Sequence, residues 1–245
     1  MDIKARVIMR RGMHHQVENG HPWVYKSEVD YIDGDFSPGD IVDVYNRHRF
    51  VGRGFINPRS QILVRLLSRQ EEEINEEFIK KRLMSAWRYR QKFVAAPEYC
   101  RLVFGEADFL PGLIVDRFGP YLVLQTLALG IDLLKPAIIS GLTELFAPAG
   151  IYERNDVPVR KLEGLELQTG YLLGEFPPLI KIKENGIPLY VDIEKGQKTG
   201  YFYDQRENRA FISRLVPAAE VLDCFSHTGS FAVHAAVYGA KHVTA

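Results

Sequence analysis

The chain has 245 residues, a length that suits one large domain or two smaller ones. Hydrophobic residues make up 46% and charged residues 25%, ordinary globular values that exclude a disordered or fibrous protein. Lys plus Arg and Asp plus Glu both total 31, so bulk charge argues for neither a nucleic acid nor a membrane as partner. Cys100 and Cys224 are too few for a disulfide framework or a four-thiolate zinc site, so no metal is expected and a reduced, cytoplasmic protein is the default. The longest uncharged stretch, 224–240, is too polar and too short to span a bilayer. Residues 1–20 hold four Lys/Arg and no apolar run, so no leader is expected.

The zero net charge hides a gradient. Residues 1–70 carry 11 Lys/Arg against 8 Asp/Glu, residues 71–185 carry 14 against 17, and residues 186–245 carry 6 against 6. The N-terminal cations cluster. Arg6, Arg10, Arg11, His14 and His15 form one group, and Arg47, His48, Arg49, Arg53, Arg59 and Arg65 form another. Such clusters suit phosphate contacts, although a solvated face explains them as readily.

Residues 1–70 read as short strands at Ala5–Met9, Ile41–Tyr45, Phe50–Gly54 and Ile62–Leu67, separated by turn residues, which suggests a small barrel or sandwich. The acidic run 71–77 then opens a helix, with Ile79, Leu83, Trp87 and Val94 as its apolar stripe and Pro97 as its stop. Residues 71–185 look α+β. Strands are expected at Arg101–Phe104, Leu113–Asp116, Tyr121–Ala128, Ile151–Arg154 and Leu165–Leu167, with a helix over Leu133–Phe146 that tolerates Pro136 in its first turn. Gly164, Gly170 and Gly174 are read as breaks, and Asn185-Gly186 after Leu179–Lys183 predicts a hairpin.

From residue 186 the character changes. Asp204 and Glu207 resemble a capping box for a helix to about Leu215. Glu220–Asp223 reads as a short buried strand, 224–229 as a turn, Ser230–Tyr238 as a helix stopped by Gly239, and Lys241–Ala245 as the next strand. A strand–turn–helix entering a second strand is how a doubly wound parallel sheet begins, and such a sheet needs further strands. The chain is therefore expected to be the N-terminal portion of a longer protein.

Two stretches carry chemistry. Residues 221–232, VLDCFSHTGSFA, place an acidic residue at a strand end before a tight turn into a helix, which suits a nucleotide-type ligand. Residues 197–209, QKTGYFYDQRENR, combine a turn glycine, Gly200, with Lys198, Arg206 and Arg209. A generic strand–turn–helix corner and a capped surface helix are the alternatives.

In these two stretches the chain resembles the S-adenosylmethionine-dependent, PUA-domain-containing methyltransferases that act on cytosine in large-subunit ribosomal RNA. His21-Pro-Trp-Val-Tyr is similar to that family's PUA signature, and GEADFLPGLIVDR (105–117) and Glu153–Asp156 to its central domain. The resemblance implies a multi-domain chain: a PUA-like β-barrel over 1–70, a central α+β domain over 71–185, and the start of a Rossmann-like methyltransferase domain over 186–245. It implies S-adenosylmethionine as cofactor. Asp223, Phe225, Ser226, His227, Thr228 and Gly229 would line its methionine end, and Lys198, Thr199, Gly200, Asp204 and Arg206 would fold over it. Ribosomal RNA is the implied partner, with Arg6, Arg10, Arg11, His14 and His15 as contacts and a homodimer as one assembly. Trp23 is expected in the PUA core.

In that family carbon 5 of cytosine becomes nucleophilic after a cysteine thiolate adds to carbon 6. The family places this cysteine well downstream of the first motif, so no catalytic residue is expected here and the chain alone should be inactive. Cys224 would sit in the cofactor turn, and Cys100 reads as a core residue. Two other classes compete: an RNA-binding module without catalysis, and a nicotinamide-dependent dehydrogenase sharing only the βα corner. Against the second, 224–229 lacks a glycine-rich turn. A methyltransferase acting on another RNA also fits.

Overall fold

The computed structural model describes residue 3, residues 5–12 and residues 15–245; His14 and the side chain of His15 lie outside the described residues. The chain opens with β1 (Ala5–Met9), α1 (His15–Glu18), β2 (Trp23–Tyr25), β3 (Val29–Gly34), β4 (Ile41–Asn46), β5 (Arg49–Ile56) and β6 (Ile62–Ser68). The six strands form one sheet in the order β2-β6-β5-β4-β1-β3, parallel between β1 and β4 and antiparallel elsewhere. Val7, Val24, Val42, Val44, Ile56 and Val64 fill its core. The four expected strands are present; β2 and β3 are additional.

The central layer begins with α2 (Glu76–Phe93). Its N-cap is Asn75, whose side chain accepts from the Phe78 amide at 3.0 Å, and Glu76 and Glu77 follow in the first turn. The helix stops at Phe93, four residues before Pro97, so Val94 lies beyond the apolar stripe as its C-cap. Then come β7 (Tyr99–Phe104), β8 (Leu113–Phe118), β9 (Tyr121–Thr126), α3 (Leu129–Leu133), α4 (Lys135–Phe146), β10 (Gly150–Asn155), α5 (Val159–Leu162) and β11 (Gln168–Leu173). The sheet runs β11-β10-β9-β8-β7 and is parallel only between β9 and β10, which α3 and α4 connect. The strand expected at Leu165–Leu167 starts instead at Gln168. Gly170 sits inside it opposite Glu153, and the break comes at Gly174, at φ 54°. Glycine there can hold a left-handed turn that a side chain resists.

Both faces of this sheet are covered. Leu83 of α2 and Ile138 and Leu142 of α4 pack on one face with Leu102, Leu113 and Leu124. On the other lies the hairpin of β12 (Leu179–Glu184) and β13 (Ile187–Asp192), whose Ile180, Ile182, Leu189 and Val191 join Phe118, Val123 and Tyr203. Asn185 at φ 51° and Gly186 at φ 83° give the turn two left-handed residues, as an Asn-Gly hairpin requires. The expected division at 185/186 falls within this hairpin, whose strands pair from Leu179–Asp192 to Glu184–Ile187.

A 3-10 turn at Tyr203–Gln205 leads into α6 (Arg206–Phe211) and a second 3-10 turn at Ile212–Arg214. No side chain caps α6, so the capping box expected at Asp204 does not form: the 3-10 turn shifts the helix start to Arg206. Then follow β14 (Glu220–Leu222), α7 (Ser230–Val237) and β15 (His242–Thr244), with β14 and β15 parallel. The strand expected to be buried is open, with Leu222 69% exposed, because β14 has β15 as its strand partner and no layer over that side chain.

Candidate functional site

Two buried carboxylates fix the frame around the candidate turn. Glu184, at the end of β12, is fully enclosed and accepts from Arg209 Nε at 2.5 Å, Arg209 Nη2 at 3.1 Å and the Tyr201 hydroxyl at 2.9 Å. His234 Nε2 of α7 lies 3.8 Å away, while its Nδ1 lies 2.7 Å from the Ser230 carbonyl, which fixes the proton on Nδ1. The hairpin, α6 and α7 thus converge on one ion pair. Asp116 on β8 accepts from Arg101 at 2.9 Å and from the Thr199 hydroxyl, tying the loop after β13 to the central sheet.

The turn at 223–229 leaves β14 at Asp223, whose amide donates to Thr244 at 2.8 Å. Asp223 Oδ2 is a buried oxygen without a hydrogen-bond partner, and such an atom costs about 1–3 kcal/mol unless something satisfies it. Among the described residues, the amides of residues 224–228 meet no backbone or side-chain acceptor. Gly229 takes φ 73° as N-cap of α7 and donates to the Ser226 carbonyl at 2.6 Å; His227 is also left-handed, at φ 51°. A Cβ on Gly229 would meet no atom within 4 Å, so glycine is needed there for its backbone angle. Desolvation, and then Arg209, push the His227 ring below its ordinary pKa. Phe225 is 96% exposed.

The two predicted stretches meet through Phe202, which the sequence reading did not single out. Its ring stands edge-on to His227 at 5.0 Å, and Lys198 Nζ lies 4.5 Å from its centroid. Lys198 is exposed on a left-handed residue, φ 54°. Thr199 is enclosed against Asp116, and Gly200, at φ 110°, packs on the Asp192 carbonyl, where a Cβ would approach to 2.8 Å. Asp204 and Arg206 lie elsewhere. They line a cavity of about 300 Å³ with Arg90, Phe93, Cys100 and Arg101, and Arg206 donates to the Tyr99 carbonyl. The buried Cys100 thiol is pushed up to about 11, chiefly by desolvation.

The N-terminal cations are spread out. Arg6 is exposed on β1 with its guanidinium 5.7 Å from the Tyr45 ring, Arg10 reaches the Val29 carbonyl at 3.4 Å, and Arg11 is exposed in a turn. The second cluster is partly consumed by internal pairs: Arg53 with Asp43 at 2.7 Å and Arg65 with Glu163 at 2.9 Å. Glu163, 2% exposed, also accepts from Asn57 at 2.8 Å and joins the six-stranded sheet to the central layer. Trp23 differs from its core expectation. It is half-buried at the same seam, donating to Glu106 at 2.8 Å beneath the Arg65 guanidinium.

A curled β domain, a five-stranded α+β layer and a β–turn–α–β corner in this order define a PUA-like module joined to the opening of a methyltransferase-type fold. The PUA-like domain model matches residues 7–69. The ribosomal RNA large subunit methyltransferase I of Cronobacter sakazakii is 39% identical over 246 residues, covering 98% of this chain and 62% of that protein. The protein of that name from Klebsiella pneumoniae is 40% identical over 244 residues, covering 98% and 61%. The chain spans about 62% of the length of the methyltransferases it matches. Among solved structures, a candidate SAM-dependent methyltransferase from Streptococcus mutans matches with a TM-score of 0.79 at 21% identity, covering 97% of this chain and 62% of that one. The candidate methyltransferase SMU.776, complexed with SAH, matches at 0.80 and 22% identity, covering 99% and 62%. At such identities these two matches speak for the fold.

Proposed function

We propose that this chain carries the RNA-recognising part and the first cofactor-binding turn of an S-adenosylmethionine-dependent methyltransferase that forms 5-methylcytosine in 23S ribosomal RNA. The observation that carries the reading is the unpartnered, buried Asp223 oxygen beside five uncommitted amides at the carboxyl end of β14. A ligand with an ammonium and a carboxylate matches both. S-adenosylmethionine, when bound, supplies the methyl group. Asp223 would accept from its ammonium, the 224–229 turn would donate to its carboxylate, and Lys198 on Phe202 would add a cation over the same end. Thr199 and Gly200 would act by shaping the loop that presents Lys198. Asp204 and Arg206, as candidate contacts, line the neighbouring cavity and would act from there.

The three-part division, with boundaries at about 70 and at the β12–β13 hairpin, belongs to the same reading, as do a homodimer, which rests on the sequence resemblance, and a cytoplasmic setting, which rests on the two cysteines. Neither cysteine is set up as the nucleophile. Cys100 is a buried thiol protonated at neutral pH, and Cys224 stands in the turn assigned to the cofactor. The chain alone should therefore give background methyl incorporation into 23S RNA.

Calorimetric titration with S-adenosylmethionine tests the site. Asp223→Ala should weaken binding by roughly 1–3 kcal/mol, the cost of a lost charge-assisted hydrogen bond. Gly229→Asn, which tolerates a left-handed backbone, should bind nearly as wild type, while Gly229→Val should lose binding. Equal affinities in all four proteins would remove the turn from the site and leave an RNA-binding module as the better reading.

A further inference from the structure

Across this molecule, enclosed guanidinium groups are matched by carboxylates: Arg53 with Asp43, Arg90 with Asp108, Arg101 with Asp116, Arg160 with Asp132 and Arg209 with Glu184. Arg117, between the Trp87 and Phe146 rings, departs from the pattern singly, and one cleft departs from it with several cations. Between the end of β6 and α2 lies a cavity of about 440 Å³, lined by Arg69, Lys81, Arg82, Glu72, Phe78 and Phe109 among others. Arg82 donates one bond, from Nη2 to the Leu67 carbonyl at 3.0 Å, and its Nε is buried without a partner. Arg69 donates only to carbonyls, Val51 at 3.3 Å and His21 at 2.8 Å. Among the described residues, Lys81 has no ion pair. Desolvation lowers the pKa of both arginines below the ordinary value, and at Arg82 the Glu72 charge offsets it only in part. The single carboxylate in the cleft, Glu72, accepts from the Ser68 hydroxyl, so three cations face one anion.

The aromatic side of the cleft is also unusual. The Arg82 guanidinium lies between the rings of Phe78, at 4.8 Å, and Phe109, at 5.3 Å. Phe109 is 63% exposed and sits at φ 59°, a conformation disfavoured for a bulky side chain. Strain of that kind persists where surrounding structure holds it, and binding sites are where it gathers. An excess of cations beside an exposed ring supplies the elements of a single-strand RNA groove, where phosphates meet charge and bases stack.

We propose that the cleft between barrel and central layer binds a phosphodiester of single-stranded RNA through Arg69, Lys81 and Arg82, with Phe109 offering its ring to the adjoining base. The proposal rests on the RNA-directed reading above and moves the principal RNA contact away from Arg10 and Arg11.

The test is fluorescence anisotropy of a labelled single-stranded oligoribonucleotide with the 245-residue chain across a salt series. The double variant Arg69→Ala, Lys81→Ala changes two exposed side chains, and its circular dichroism should match wild type. Losing two phosphate contacts should flatten the log–log salt slope by about 1.4 and weaken binding about twentyfold at 0.1 M salt. Arg82→Lys keeps the charge but loses the fork and should fall between the two. An unchanged slope in the double variant, with the loss confined to Arg10→Ala, Arg11→Ala, would overturn the assignment. Inorganic phosphate that shields Lys81 from acylation, without RNA doing so, would make the cleft a free-anion site and overturn it too. Absence of RNA binding by the wild-type chain would remove the RNA part of the proposed function as well. The cofactor titration, which needs no RNA, reads the methyltransferase part separately.

Discussion

The five-stranded central sheet and the two-stranded β14–β15 unit follow similar local rules and end in opposite states. In the first, Leu102, Leu113, Val115 and Leu124 are fully enclosed between two layers. In the second, Leu222 and Phe225 face outward and Val221 is only partly covered. The difference lies in what packs on each sheet, since both contain strand-forming sequences. In this chain the unpartnered Asp223 oxygen and the uncommitted amides of 224–228 stand on the lightly packed unit.

The largest test of that contrast is at the buried ion pair anchoring the lightly packed unit to the rest. Glu184→Ala leaves Arg209 enclosed without its counter-charge and should cost about 3–5 kcal/mol, read as a loss of midpoint in urea unfolding. A cost near zero would mean that the hairpin and α7 are held by their apolar contacts alone. Leu222→Ser, on the open side, should stay within about 0.5 kcal/mol of wild type. A large loss there would show that the exposed strand face is covered in solution.

A smaller effect sharpens the comparison at the barrel seam. Burial raises the Glu163 pKa, but Ser60, Arg65 and Asn57 outweigh it, and the group titrates below its ordinary value. A carboxyl depressed in the folded state stabilises fully above its unfolded pKa, and that contribution is lost as pH falls through the folded one. The unfolding temperature should therefore decline on acidification below the ordinary glutamate range, and Glu163→Gln should flatten that decline. An identical acid limb in the variant would take the seam out of the pH response.

What the sequence disclosed follows the range of the interactions involved. Asn185-Gly186, Pro136 in the first turn of α4 and Gly239 after α7 act within a few residues, and each marked its element correctly. The turn over 224–229 was visible for the same reason. Strand β3 was not, because Asp30, Asp33 and Gly34 read as loop, and its strand character comes from pairing with β1. The cap at Asp204 failed because a 3-10 turn stabilised by long-range contacts of Tyr203 and Arg206 takes its place. Glu163 with Asn57, 106 residues apart, and Arg82 between Phe78 and Phe109 have no spacing signature at all. Phe202 had one faint cue, an aromatic two residues after the turn glycine Gly200.

The most direct measurement is amide hydrogen exchange of the chain with and without a saturating concentration of S-adenosylhomocysteine. The expected result is slowed exchange at 198–202 and 223–229, with the central sheet unchanged because it is already protected. Protection confined to the cavity beside Arg90, Cys100 and Arg206, or no protection at 223–229, would contradict the assignment of the Asp223 turn as the cofactor site.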